Sequence, residues 1–284
     1  MPATLMDGKA LATRVREEVR RDVADLGHVG LATVLVGEDP ASQVYIRLKH
    51  EASTAAGIDP LDTRLPADAA EDDVLEVVTR LNDDNAVDGI LVQTPLPEQI
   101  DEARVMRAIN PVKDVDGLHP LNAGQLFFGR ETFVGATPAG VMRLLDEYRI
   151  PIPGAQAVVV GRSLIVGRPL AMLLLHANAT VTICHSRTKE LDRHTLDADI
   201  LVAAVGRAGL ITADMVKQGA AVIDVGITRT DAGLVGDVAP EVAEVAAFMT
   251  PVPGGVGPMT IAVLLANAVR AARYRSGLLA FPRI

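Results

Sequence analysis

The sequence predicts an α/β chain of two domains, and three observations carry that prediction. At 284 residues it has room for about two domains of ordinary size. Short apolar runs closed by glycine alternate with stretches of helical periodicity, the pattern of a parallel, doubly wound sheet. One such run, Ala157-Val158-Val159-Val160, leads into Gly161-Arg162-Ser163-Leu164-Ile165-Val166-Gly167-Arg168-Pro169. It reads as a buried strand, a glycine-bounded turn and a helix to about Ala177, and a helix start of this kind offers free N–H groups to a phosphate. Ser163 stands at the second glycine position of G-x-G-x-x-G, and the last glycine, Gly167, comes one residue late. The segment therefore suits either a nucleotide site or a plain tight turn.

Each element follows from local pattern. Leu5, Ala12, Val15, Val19 and Val23 recur at helical spacing, predicting an amphipathic helix over Leu5–Leu26. Gly30–Gly37 is a buried strand. Asp39-Pro40 then opens a helix, Asp39 as cap and Pro40 at its first position, and Gly57 ends it. An extended piece over 58–65, a helix over about 70–81, a strand over 87–93 and a helix over about 101–109 complete the first half. Pro95 and Pro97 fix the loop at the carboxyl end of the 87–93 strand, where ligands bind in such sheets. From Thr137-Pro138 a helix bridges the domains. Strands over 157–160, 180–184, 199–204, 220–226 and 247–250 follow, with helical connections at about 212–218 and 240–245. Pro251–Thr260 holds three prolines and three glycines before a long apolar helix to about Ala272, with Pro258 in its first turn. It is either a fixed backbone path or a rigid linker.

Composition narrows the function classes. Net charge of −9 disfavours binding to nucleic acid or to an anionic membrane, and 3% aromatic content without Trp disfavours base stacking. A single cysteine, Cys184, excludes an internal disulfide framework and a Cys-cluster metal site. No apolar run approaches the ~20 residues of a membrane helix. The N-terminal segment lacks a signal-peptide core, which predicts a cytoplasmic protein.

Three constellations could carry chemistry. Tyr45 and Lys49, spaced i, i+4, share one helix face, as a surface pair or as part of a site. Lys113-Asp114-Val115-Asp116-Gly117 follows a helix. Its Asp-x-Asp-Gly lacks the further oxygen ligands of a calcium loop, so a turn held by Asx hydrogen bonds is the alternative, and no metal is expected. After the 180–184 strand an NAD site would place an acid. Here His185-Ser186-Arg187-Thr188-Lys189 stands instead, suited to the additional phosphate of NADP, or else a solvated basic loop.

With Tyr45-x-x-x-Lys49, Val92–Pro97, Lys113–Gly117, Gly161-Arg162-Ser163 with Gly167 and Pro169, Cys184-His185-Ser186 and Pro251–Thr260 in this order, the chain closely resembles the bifunctional methylenetetrahydrofolate dehydrogenase/methenyltetrahydrofolate cyclohydrolase family. The resemblance implies a folate-side domain over 1–138, completed by a helix over 259–284, and a Rossmann-like NADP-binding domain over 139–258, with a cleft between them and a homodimer formed through the nucleotide domains. It implies Lys49, Tyr45, Gln93 and Asp116 as catalytic and folate-binding residues. Pro253, Gly254 and Gly255 are added on the substrate side. On the NADP side it implies Gly161, Arg162, Ser163, Gly167, Ser186, Arg187, Gly226 and Ile227. Thr94 and Thr228 depart from the residues common in the family. The expected function is oxidation of methylene-tetrahydrofolate and hydrolysis of the product to formyl-tetrahydrofolate, in one-carbon metabolism and purine biosynthesis. Rival readings are a nucleotide-binding regulator without catalysis and a monofunctional enzyme of the same fold.

Overall fold

The structure, a computed structural model, describes residues 2–37, 40–130, 132–231 and 233–282, the side chains of residues 40–45 excepted. In chain order its elements are β1 (Thr4–Leu5), α1 (Gly8–Leu26), β2 (Gly30–Val36), α2 (Pro40–Ala56), β3 (Asp59–Leu65), α3 (Glu71–Asp83), β4 (Gly89–Val92), α4 (Glu102–Ala108), α5 (Pro120–Phe127) and α6 (Ala136–Glu147). They continue with β5 (Gln156–Val160), α7 (Gly167–His176), β6 (Thr180–Cys184), α8 (Leu191–Thr195), β7 (Ile200–Ala203), β8 (Ala221–Asp224), β9 (Thr228–Thr230), β10 (Gly233–Val235), β11 (Phe248–Met249) and α9 (Val256–Arg275). The connections at Ala213–Met215 and Pro240–Glu244 are single 3₁₀ turns.

The chain forms two compact units. One comprises Met1–Thr13 with Gly135–Thr260, the other Arg14–Val134 with Ile261–Ile284. The first carries a six-stranded parallel sheet of order β1-β11-β8-β7-β5-β6. Its core packs Val158, Val160, Leu201, Ala203, Val222 and Val242, which is why these strands read as unbroken apolar runs. The chain leaves β5 to one side for β6 and returns to the other for β7, so the crevice beyond the carboxyl ends of β5 and β7 is a topological switch point.

The second unit carries a three-stranded parallel sheet, β3-β2-β4, over a core that includes Val34, Val74, Val78, Ile90 and Val105. Here the order reverses between β2 and β4, a second switch point. Beyond β4 the segment at Asp114 adds a parallel bridge to Ile90, and the Ile90 N–H donates to the Lys113 carbonyl at 2.7 Å. The end of α9 closes this unit, with the Arg275 guanidinium donating to Asp88 Oδ1 (2.6 Å) and to the Val87 carbonyl (2.7 Å).

Several expectations change. The helix expected from Leu5 begins at Gly8, because Thr4 and Leu5 pair in parallel with Phe248 and Met249. Asp7 Oδ1 then accepts from the N–H groups of Lys9 and Ala10, which starts the helix. The helices α5 and α8 and the antiparallel β9–β10 hairpin were not expected. The cap assigned to Asp39 lies outside the described residues.

Candidate active site

In the three-stranded unit the switch point gathers three of the expected residues. Helix α2 follows β2 and carries Lys49; Gln93 follows β4, its backbone N–H tied to the Val34 carbonyl at 2.9 Å. The Lys49 Nζ donates to Gln93 Oε1 at 3.0 Å. Gln93 Nε2 donates to the Thr94 carbonyl at 3.0 Å, which turns the amide so that its oxygen faces the lysine. Burial holds the Lys49 pKa below its ordinary value, and the nearby charge of Asp116 opposes the shift only partly. Asp116 is itself pushed up to about 6 by burial, against the lowering effect of Lys49 and with a raising effect from Asp114. The cluster is thus a weakened ammonium and a weakened carboxylate side by side. Perturbations of this kind mark groups that move or hold protons. Tyr45 lies one turn before Lys49 on α2, its side chain outside the described residues.

The segment bearing Asp116 is anchored by its neighbours, which sequence reasoning left without roles. Lys113 is buried and its Nζ donates to the carbonyls of Leu81 (2.9 Å) and Asp84 (2.8 Å) at the end of α3. Burial, ahead of the repulsion of Arg275, lowers its pKa to about 8. Asp114, also buried, accepts from the N–H groups of Leu118 (3.2 Å) and His119 (2.8 Å) and from Asn122 Nδ2 (2.7 Å). Those donors commit its oxygens to the Asx-type turn rather than to a cation. Asn267 Nδ2 on α9 donates to the Val115 carbonyl at 2.7 Å. The signal for α5 was His119-Pro120: the imidazole Nδ1 accepts from the Leu121 N–H at 3.0 Å, with proline at the first helical position.

The six-stranded unit holds the residues expected on the cofactor side. At Gly161 (φ 133°) a Cβ would lie 2.4 Å from the Ala204 carbonyl oxygen, and at Gly167 one would lie 2.2 Å from the Gly161 oxygen. Only glycine permits this turn, and it leaves a side-chain-free cradle at the start of α7. Ser163 Oγ accepts from the N–H groups of Val166 (3.1 Å) and Gly167 (3.4 Å), and the Arg162 carbonyl accepts from Arg168 Nε at 3.1 Å. Arg162 and Ser163 are exposed. At the carboxyl end of β6, Ser186 and Arg187 sit exposed on a turn closed by the Thr188 N–H to the His185 carbonyl (2.8 Å) and the Arg187 N–H to His185 Nδ1 (3.1 Å). Gly226 and Ile227 follow β8, Gly226 buried and Ile227 exposed. The glycine cradle and the exposed donors at Arg162, Ser163, Ser186 and Arg187 fit a phosphate-bearing dinucleotide.

Pro253, Gly254 and Gly255, expected on the substrate side, belong to this same unit, whereas Lys49, Gln93 and Asp116 belong to the other. They form a turn before α9. Gly254 has φ 117°, its carbonyl accepts from the Lys9 N–H at 3.2 Å, and the Gly255 N–H donates to the Pro251 carbonyl at 2.8 Å. A fixed backbone path, not a linker, explains the proline and glycine content.

Comparison with known proteins matches this division. Residues 6–116 fit the model of the tetrahydrofolate dehydrogenase/cyclohydrolase catalytic domain, and residues 135–276 that of the family's NAD(P)-binding domain. The chain is 57% identical to "Bifunctional protein FolD" of Acidiphilium cryptum, over 97% of this chain and 100% of that one. It is 54% identical to the protein of that name from Methanoculleus marisnigri, over 96% and 97%. Among solved structures, the bifunctional methylenetetrahydrofolate dehydrogenase/cyclohydrolase of Campylobacter jejuni superposes with a TM-score of 0.94 at 46% identity, covering 96% of this chain and 99% of that chain. The Trypanosoma brucei dehydrogenase-cyclohydrolase, complexed with NADP and an inhibitor, superposes with a TM-score of 0.93 at 40% identity, over 98% and 100%. On this match of both domains over nearly its whole length, the chain belongs to the tetrahydrofolate dehydrogenase/cyclohydrolase family.

Proposed function

We infer that the protein oxidises methylene-tetrahydrofolate to methenyl-tetrahydrofolate with NADP⁺ and then hydrolyses the methenyl cation to formyl-tetrahydrofolate. The observation that carries this reading is the half-buried Lys49–Gln93–Asp116 cluster in a chain that also builds a glycine cradle after β5. NADP supplies the hydride acceptor when bound. The three-stranded unit is the folate side. Asp116, ionised, accepts hydrogen bonds from the pterin N–H groups. The methylene carbon can lose hydride without a protein base, because the lone pair of the adjacent nitrogen supports the cation, so this step asks for positioning. Hydration is different: water adds to the methenyl carbon, one C–N bond breaks, and one proton leaves. Lys49, its pKa lowered by burial and its amine held by Gln93, takes that proton. A regulator without catalysis would have no use for a lysine desolvated in this way.

On the cofactor side Gly161 and Gly167 admit the diphosphate to the start of α7, while Arg162, Ser163, Ser186 and Arg187 supply donors. Gly226 and Ile227 border the same sheet edge. Pro253, Gly254 and Gly255 in the six-stranded unit are further candidates for substrate binding, and Tyr45 is assigned to the substrate side by its place one turn before Lys49 in α2. The protein works in the cytoplasm, where its product supplies purine biosynthesis, and it pairs as a homodimer through the six-stranded unit, whose strand β6 is an open sheet edge. Among the described residues no helix is long and apolar enough to cross a membrane.

The test supplies methylene-tetrahydrofolate with NADP⁺ and follows NADPH and methenyl absorbance together. NADPH should appear with little methenyl accumulation. NADP⁺ should be preferred over NAD⁺ by about ten- to hundred-fold, the worth of the charge-assisted bonds at Ser186 and Arg187. NADPH formation with a stoichiometric rise of methenyl-tetrahydrofolate would reduce the reading to a dehydrogenase alone.

A further inference from the structure

Two aspartates in the six-stranded unit lie outside every role assigned so far. Asp224 closes β8 and is 2% exposed; Asp237, just after β10, is fully buried. Isolated carboxylates are costly to bury, and these are retained by saturating them with backbone donors. Asp237 Oδ2 accepts from the N–H groups of Val205 (2.7 Å) and Gly206 (3.1 Å), and Oδ1 from that of Arg207 (2.6 Å). Asp224 Oδ1 accepts from Gly226 (3.0 Å) and Asp237 (2.9 Å), and Oδ2 from Val238 (3.0 Å). The six donors belong to three segments: the loop after β7, the loop after β8 and the strand exit at Asp237.

The first two loops lie where a dinucleotide has to be held, at the carboxyl edge of the sheet beside the switch point. The loop after β7 touches the phosphate turn, since the Ala204 oxygen occupies the space a Cβ on Gly161 would need. The loop after β8 contains Gly226 and Ile227. Successive N–H groups converging on one point form an anion-binding nest. At Val205-Gly206-Arg207 that nest is filled from inside the protein by Asp237. The fit is tight on both sides: a Cβ at Gly226 would lie 2.1 Å from Asp237 Oδ1, and one at Gly236 would lie 1.8 Å from Asp224 Oδ2. The glycines at these two positions are there for the carboxylates.

We propose that Asp237 and Asp224 are positioning residues for the cofactor: as an internal anion pair they hold the loops after β7 and β8 in their binding conformation before any dinucleotide arrives. The proposal rests on the functional reading above for the identity of that dinucleotide. It also assigns the diphosphate to the Gly161–Gly167 turn alone, because the second nest on this edge is already occupied.

The test has two arms. In the unmodified full-length protein, hydrogen exchange at the amides of Val205, Gly206, Arg207 and Gly226 should already be slow without ligand, and saturating NADP⁺ should slow it by less than about threefold. Fast exchange in the free protein, arrested only by NADP⁺, would overturn the proposal. In the second arm Asp237→Asn and Asp224→Asn turn an amide NH₂ toward backbone donors. NADP⁺ affinity measured by calorimetry should fall about ten- to hundred-fold and the KM for NADP⁺ should follow, on the usual scale of hydrogen bonds to a charged group. Turnover and KM for methenyl-tetrahydrofolate hydrolysis should stay within about twofold. Folded variants with unchanged NADP⁺ affinity, or with both activities falling together, would reduce the pair to general scaffolding. Should the variants fail to fold, the exchange arm decides. An unmodified protein that binds NADP⁺ yet oxidises no folate would sink the functional reading while leaving the calorimetric result on the aspartates intact.

Discussion

Burial acts in opposite directions on Lys49 and Asp116, lowering one pKa and raising the other toward neutrality, while each charge partly restores its partner. Two consequences can be measured. The carboxylate form of Asp116 accepts the pterin N–H groups, so the KM for folate should rise as pH falls through about 6. Lys49→Met removes the cation that holds the Asp116 pKa down. The inflection should therefore move to higher pH in that variant, and a shift to lower pH would show that the two groups do not interact as described. The same variant keeps most of the apolar stem but lacks the amine. Loss of general acid–base help typically costs about 10²–10⁴-fold. Methenyl hydrolysis should fall by that order, dehydrogenation should fall less, and methenyl-tetrahydrofolate should accumulate as NADPH forms. Equal losses in both rates at unchanged folate affinity would make Lys49 a shared positioning group.

At the scale of elements, the segment 113–116 is held from three sides. Lys113 ties it to the end of α3, Asp114 to the start of α5, and Val115 to α9 through Asn267. Lys113 supplies the donor that the last carbonyls of α3 lack within their own helix. Lys113→Met would leave the buried Leu81 oxygen without that donor, whereas the Asp84 oxygen keeps the Val87 N–H at 3.3 Å. About 1–3 kcal/mol of stability should be lost, the usual range for an unsatisfied buried polar group. Urea denaturation should show a lower midpoint with unchanged slope. An unchanged midpoint would mean that water replaces the ammonium and that the anchoring role is wrong. Helix α7 shows how a motif can mislead by one residue. Ser163, at the expected second glycine, caps Val166 and Gly167, and the close approach that demands glycine falls on Gly161 and Gly167. The strict spacing of the fingerprint does not apply here because a hydroxyl replaces the middle glycine, while the missing Cβ is required only at Gly161 and Gly167.

Across the whole molecule, what was legible in the sequence was what depends on neighbours along the chain. The buried strands at 30–36 and 157–160 announced themselves as apolar runs, and Gly57 (φ 80°) ended α2 where expected. What could not be read depends on partners far away. Leu5 fits the helical period of α1, yet it pairs with Met249, some 240 residues on. Asp114 looks like any turn aspartate until the Asn122 amide is seen on it, and nothing local marks Asp224 and Asp237 as one pair. The motifs identified Lys49 and Gln93, but the direction of the Gln93 amide is set by the Thr94 carbonyl. The same division of the chain makes a prediction about the two activities. The glycine cradle lies in one unit, and the lysine with its carboxylate in the other. Hydrolysis of the methenyl cation needs no nicotinamide, whereas its formation from the methylene compound does. Gly167→Ala would set a Cβ 2.2 Å from the Gly161 oxygen and close the cradle. NADP⁺ binding and dehydrogenase activity should be lost to beyond hundredfold, while hydrolysis of supplied methenyl-tetrahydrofolate stays within about twofold. Asp116→Ala should do the reverse to binding, sparing NADP⁺ affinity and impairing both activities, because both steps use the same held folate. If Gly167→Ala, shown to be folded by circular dichroism, lost hydrolysis in parallel with oxidation, the two steps would have to share the cofactor seat, and the assignment of one chemistry to each unit would fail.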